Sequence, residues 1–72
     1  MPNRYHKISA NLSDEVLEVL KEIAERKNVT LTEVLRRAVS VFKVVDDALN
    51  EGQQVLLRDS KTKKVERVIF HY

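Results

Sequence analysis

The chain has 72 residues, no cysteine and a formal net charge of +2. This length allows one small domain, which as a monomer buries only about 60% of the surface that its unfolded chain exposes. Disulfides and thiolate metal sites are excluded, and no apolar run approaches the roughly 18 residues that a membrane span needs. Because chains of this size usually need a further source of stability, we expect a second copy of the chain to supply it.

The composition gives no support to an enzyme, a metal site or a cofactor site. With a single glycine the chain lacks a glycine-rich phosphate loop. Neither His6 nor His71 has a second histidine or a carboxylate at ligand spacing. No secretory signal is recognisable at the start of the sequence. We therefore expect a non-enzymatic cytoplasmic protein that holds no cofactor and no metal.

The first predicted element is a strand at residues 4–12, in the segment RYHKISANL. Apolar and polar residues alternate along it, which places them on opposite faces of an extended chain. The apolar set is Ile8, Ala10 and Leu12, and the polar set is Lys7, Ser9 and Asn11. No other strand is predicted close by in the sequence, so the partner of this strand must come from elsewhere. The polar set alone is equally typical of the solvated side of any half-buried strand.

The first helix is predicted over residues 13–27. Ser13 is a favourable N-cap, and Asn28 tolerates the left-handed conformation that often ends a helix. Apolar residues at helical spacing form one stripe, made of Val16, Val19, Leu20, Ile23 and Ala24. Five acidic residues against three basic ones give residues 13–27 a charge of −2. The face opposite the stripe is therefore acidic.

The second helix is predicted over residues 30–50. Thr30 and Glu33 form a capping box at its start, and Gly52 follows its end as a helix stop. Eleven of its residues are apolar, which is more than one stripe and more than the first helix can cover. This excess of apolar surface is the strongest sequence argument for an intertwined dimer.

Residues 53–72 are predicted to form a C-terminal β-hairpin extension. Its strands lie in QQVLLR and VERVIF, and a polar loop from Asp59 to Lys63 joins them. An isolated hairpin is barely stable, so we expect it to pack on the second helix. The residues that it is expected to cover are Val41, Val44, Val45 and Ala48.

The order of strand, acidic helix, short turn and capped hydrophobic helix resembles the ribbon-helix-helix (Arc/MetJ/CopG-type) family of DNA-binding proteins. The resemblance covers residues 4–50, rests on KISANLSDEVLEVLKEIAERKNVTLTEVLRRAV and includes no invariant signature. It implies a mainly α fold with short β, built as an intertwined homodimer. In this fold the 4–12 strands of two chains form an intermolecular antiparallel two-stranded ribbon that enters the major groove of DNA.

Three sets of candidate site residues follow from the resemblance. The residues that face base edges are Lys7, Ser9 and Asn11, whose donors and acceptors suit that contact. The residues that contact phosphates are Thr30, Leu31 and Thr32 at the second helix, with Arg4 and Tyr5 from the leading arm. The dimer core consists of Ile8, Ala10, Leu12, Val34, Leu35, Ala38, Val39 and Phe42.

The implied function is that of a sequence-specific double-stranded DNA-binding protein, a prokaryotic transcriptional repressor that is cytoplasmic and nucleoid-associated. Its dimers would bind neighbouring half-sites as a dimer of dimers. The alternative is an antitoxin, or another protein-binding dimer, whose residues 53–72 hold a partner protein. The expected domains are thus a ribbon-helix-helix domain at 1–52 and the hairpin at 53–72. Whether the hairpin contacts DNA, a partner protein or only its own core stays open at this point.

Overall fold

The computed structural model describes residues 4–71, which form two helices and one two-stranded antiparallel sheet. The elements are α1 at Asp14–Lys27, α2 at Leu31–Asn50, β1 at Val55–Arg58 and β2 at Val65–Val68. The protein is mainly helical with short β structure, as expected. Its contacts divide it into two compact units, with the boundary between Val34 and Leu35 inside α2. In the part of the chain described, neither helix has the length and apolar character of a membrane-spanning segment.

Helix α1 is fixed by polar groups at both of its ends. Ser13 is extended, and its Oγ accepts a hydrogen bond of 3.2 Å from the backbone N–H of Val16. At the other end Asn28 is left-handed, with φ 54° and ψ 49°. The N–H of Val29 donates to the carbonyl of Ala24 at 3.0 Å, which completes the hydrogen-bond pattern of a Schellman cap. The predicted cap and stop are both confirmed.

Helix α2 is capped in the same way. The Oγ1 of Thr30 accepts from the N–H of Glu33 at 3.1 Å, which confirms this half of the capping box. After the helix Gly52 has φ 80°. Its N–H donates to the carbonyl of Leu49 at 3.1 Å, and the next N–H, of Gln53, donates to Ala48 at 2.9 Å. This second Schellman cap ends the helix where the sequence predicts.

The hairpin is shorter than predicted. Val55 pairs with Val68 and Arg58 pairs with Val65, so Ile69 and Phe70 lie outside the ladder. The N–H of Gln53, which this register would place opposite Phe70, instead donates to Ala48 in the α2 cap.

The expectation that the hairpin covers four residues of α2 is wrong for two of them. Val45 and Ala48 are half-buried, but Val41 and Val44 are 63% and 70% exposed. The base of the hairpin instead lines a pocket with Leu49 in the last turn of the helix. Leu49 is the residue of α2 that lines this pocket, and Val44 and Val41, one and two turns earlier in the helix, stay exposed.

Few side chains are buried. Among the described residues only Ala24 and Val34, both in the first unit, are buried. Large apolar side chains are exposed in every part of the chain, including Ile8 at 89%, Val39 at 69% and Leu57 at 63%. Where exposed apolar side chains form one contiguous patch, the patch marks an interaction surface.

Residues 4–12, before α1, form no helix and no strand in the single chain. Its residues 4–12 are all exposed, and in the described part of the chain their backbone groups take part in no hydrogen bond. A strand needs a neighbouring strand for its hydrogen bonds, and within one chain this segment has none. The strand at 4–12 therefore stays a prediction about an assembly.

Replacing Gly52 with alanine should lower the free energy of unfolding by about 1–2 kcal/mol, because an L side chain is disfavoured at positive φ. Crowding is not the cause, since a Cβ at this position would meet no atom within 4 Å. Gly52→Asn is the matched control and should lose less, because Asn28 already adopts this conformation. Urea unfolding at one fixed chain concentration measures both. Equal stability of Gly52→Ala and the wild type would contradict the analysis of the cap.

Candidate nucleic-acid interface

The three candidate base-reading side chains, Lys7, Ser9 and Asn11, are exposed in the segment before α1. In the part of the chain described, none of them forms a hydrogen bond or an ion pair. The apolar residues between them are exposed as well, Ile8 at 89% and Leu12 at 46%. Both the polar and the apolar side chains of this segment are therefore exposed to solvent in a single chain. Exposure to water is favourable only for the polar ones.

The candidate phosphate site lies at the start of α2. Thr30 uses its hydroxyl to cap Glu33, whereas the N–H groups of Leu31 and Thr32 have no acceptor within the helix. No described residue outside the helix accepts from them either. Two free amides at the positive end of a 20-residue helix are suited to bind an anionic oxygen.

The remaining phosphate candidates, Arg4 and Tyr5, are exposed in the leading arm, Tyr5 at 93%. They lie in the same unit as the N-terminus of α2. No hydrogen bond or ion pair among residues 4–71 connects the two groups. The structure thus shows each set as accessible without bringing them into contact.

The hairpin loop is held by one carboxylate. The Oδ1 of Asp59 accepts from the N–H groups of both Lys61 and Thr62 at 2.8 Å. Two backbone hydrogen bonds close the loop, from Asp59 to Lys64 at 2.8 Å and from Lys63 to Asp59 at 2.9 Å. Lys63 is left-handed, with φ 63°. These bonds order a loop that carries three lysines.

The register of the hairpin separates its charges. Cross-strand partners share a face of the sheet, so Arg58 and Arg67 lie on one face, each opposite an apolar residue. The acidic Glu66 lies on the other face, and so does Asp59, since its bond to Lys64 continues the ladder. The sequence analysis does not predict this separation of the cations from the acids. It could have been predicted from the length of the loop between the strands, because that length fixes the register.

The described residues contain no group of three or more His, Asp and Glu side chains placed to hold a metal ion.

Hydrogen bonds from the backbone of Thr62 and Lys61 lower the pKa of Asp59. A lowered pKa stabilises the fold above the unfolded value of about 3.9, and this contribution is lost as the pH falls through the folded-state pKa. We expect the amide proton shifts of Lys61 and Thr62 to titrate with a midpoint below 3.9. An NMR pH titration measures this, and in Asp59→Asn the transition should be absent. A midpoint at the ordinary aspartate value would contradict the loop geometry.

Comparisons of the chain with protein-family models, with curated proteins and with solved structures give no match.

Proposed function

We propose that the chain forms an intertwined homodimer whose paired N-terminal segments read base edges in the major groove of DNA, as a transcriptional repressor does. One observation carries the proposal. Among residues 4–71, no backbone group forms a hydrogen bond with the alternating segment 4–12, whose apolar face is exposed and whose other face carries Lys7, Ser9 and Asn11 and no acid. A second copy of the same segment satisfies the backbone and leaves the polar face outward.

The exposed stripe of α2 supports dimer formation. Leu35, Val39, Phe42 and Leu49 are 44%, 69%, 51% and 40% exposed and lie within one side of the helix. Full burial of such a side chain contributes about 1.5–3 kcal/mol, so covering the exposed part contributes about 1 kcal/mol each. Two copies of the stripe therefore supply about 8 kcal/mol towards association before its entropic cost.

Pairing about a two-fold axis suits the N-terminal segment. In an antiparallel pair the same residues of both chains oppose each other, which an isologous interface requires. Ile8, Ala10 and Leu12 of both copies then face inward, and a single ribbon displays Lys7, Ser9 and Asn11 twice. A two-stranded ribbon fits the width of the major groove.

The polar face has the chemistry of base readout. Lysine donates to guanine O6 and N7, asparagine forms a bidentate pair with adenine, and serine adapts to either base. The free amides at Leu31 and Thr32 would hold a phosphate and so fix the position of the ribbon. Arg4 and Tyr5 from the arm extend the same set of backbone contacts.

A protein-binding dimer, such as an antitoxin, is the second candidate. The observation that favours it is the exposure of Leu57 and Ile69 on the hairpin, 63% and 62%. A folded dimer that selects no DNA sequence in the experiment described below would favour this candidate.

Val39→Lys should weaken the dimer, because it places a charge on the exposed stripe of α2. Loss of the Val39 contribution in both chains corresponds to about 2–4 kcal/mol, or a 30- to 1,000-fold higher dissociation constant. Ser40→Lys is the matched control, since Ser40 lies on the polar side and donates to the carbonyl of Arg36. Sedimentation equilibrium distinguishes the two. If both variants dimerise like the wild type, the stripe is not the interface.

Selection of duplexes from a random DNA pool tests the proposed reader. The wild type should enrich a motif, and a Lys7/Ser9/Asn11 triple-alanine variant that still dimerises should not. On the enriched site, Lys7→Ala or Asn11→Ala alone should cost about 1–3 kcal/mol of binding free energy. A triple variant that enriches the same motif as the wild type would refute the assignment of these residues.

A further inference from the structure

We propose that the arginine face of the hairpin, defined as Leu56, Arg58, Val65 and Arg67, together with the adjoining Lys61, contacts phosphates of the bound duplex. This inference rests on the proposed DNA-binding function and assigns that function a second contact surface. The resemblance in the first 50 residues does not reach this part of the chain.

The charge distribution requires such a surface. The segment 55–68 holds five of the 13 basic residues and two of the 11 acidic ones, so it carries +3 and the rest of the chain carries −1. Within that rest, residues 1–12 carry +2 and residues 13–54 carry −3. Electrostatic attraction to phosphates supplies essentially all non-specific DNA affinity. The positive charge of the N-terminal segment is more than cancelled by the helices, and only the hairpin makes the chain cationic.

The faces of the hairpin concentrate this charge. Arg58 and Arg67 are diagonal neighbours on one face, where cross-strand diagonals lie about 7–8 Å apart. Neither forms an ion pair with any described residue. Both acidic side chains lie on the opposite face, and Asp59 there has its Oδ1 engaged by two backbone amides. The register thus places the two acids of the hairpin and its two arginines on opposite faces of the sheet.

The apolar residues of this face support the arginines. Leu56 is directly opposite Arg67, and Val65 is directly opposite Arg58. Both arginines are exposed, and the stem of each can lie along the apolar side chain opposite it while its guanidinium stays in solvent. Leu56 and Val65 are 53% and 50% exposed, less than Leu57 on the other face at 63%. A guanidinium held in this way can donate two hydrogen bonds to one phosphate.

The loop adds a cation in an ordered position. The backbone N–H of Lys61 is bound to Asp59, so binding loses little backbone entropy when the Lys61 side chain meets a phosphate. Because Asp59 remains charged well below neutral pH, this order persists under physiological conditions.

The test compares the salt dependence of DNA affinity in two charge-matched variants. The hairpin variant is Arg58→Gln, Lys61→Gln, Arg67→Gln, and the control is Lys21→Gln, Arg26→Gln, Lys43→Gln. Each removes three cations per chain, but the control positions lie on the two helices, where Lys43 is already paired with Asp47 at 2.8 Å. Far-UV circular dichroism and sedimentation establish that both remain folded dimers. The probe is a duplex that carries the motif enriched by the wild type.

We expect the slope of log K against log salt to fall by about 2–5 for the hairpin variant, since each phosphate contact contributes about 0.9 and a dimer loses up to six. When salt is raised from about 50 to about 200 mM, the hairpin variant should therefore lose roughly 10- to 1,000-fold less affinity than the wild type loses. The control should keep a slope within about one unit of the wild type.

The outcomes separate this inference from the proposed function. If the hairpin variant has the same slope as the wild type, the inference is overturned, but the assignment of the ribbon residues stands. The cations of the hairpin would then suit an acidic protein segment as their partner. If the slope falls equally in the hairpin variant and the control, the inference is also overturned, because the total charge of the protein then determines the slope and the position of the charges does not. If the wild type enriches no duplex at all, the proposed function fails and the inference fails with it.

Discussion

Helix α2 has more apolar surface than its own chain covers, and the properties of the whole molecule follow from this constraint. Its exposed stripe includes Leu35, Val39 and Phe42, while only two side chains in the described residues are buried. With conformational entropy opposing folding at every residue, so little burial does not stabilise a lone chain. Folding and association are therefore expected to be one event, as in obligate dimers. The DNA-reading surface proposed here would form only in that event.

The features that sequence predicted well are the local ones. Ser13, Asn28, Thr30 and Gly52 each act on backbone groups within five residues, so their chemistry alone decides the helix ends. The burial of Val41 and Val44 was mispredicted because it depends on where the hairpin lies along α2. That position depends on the cap at Gly52. The strand at 4–12 rests on its alternation alone, since the described residues of one chain give it no hydrogen-bond partner, and its pairing with a second copy stays a proposal.

The candidate site follows the same division. Residue types and alternation predict which side chains of 4–12 share a face, because period two needs no tertiary information, and that this face meets a ligand stays a prediction. The arginine face of the hairpin could not be predicted from residue types alone. It depends on the register, in which Arg58 pairs with Val65 and not with a residue next to Val65. A shift of one residue in β2 would place Glu66 beside an arginine and remove the separation of charge. Here the loop that Asp59 orders determines how the charges are distributed over the two faces.

In the proposed dimer, specificity and stability depend on the same nine residues. The apolar face of 4–12 must be buried for the ribbon to form, and its burial is what directs Lys7, Ser9 and Asn11 outward. A slip of one residue would expose Ile8 and bury Lys7, which costs both the hydrophobic contribution and the desolvation of a charge. The register of the reader is thus fixed by the core, before any DNA is present. Because the register does not depend on the polar side chains, the residues at positions 7, 9 and 11 can vary with the DNA site, whereas Ile8 and Leu12 are constrained by the fold. The reader can therefore change its sequence preference without a change in architecture.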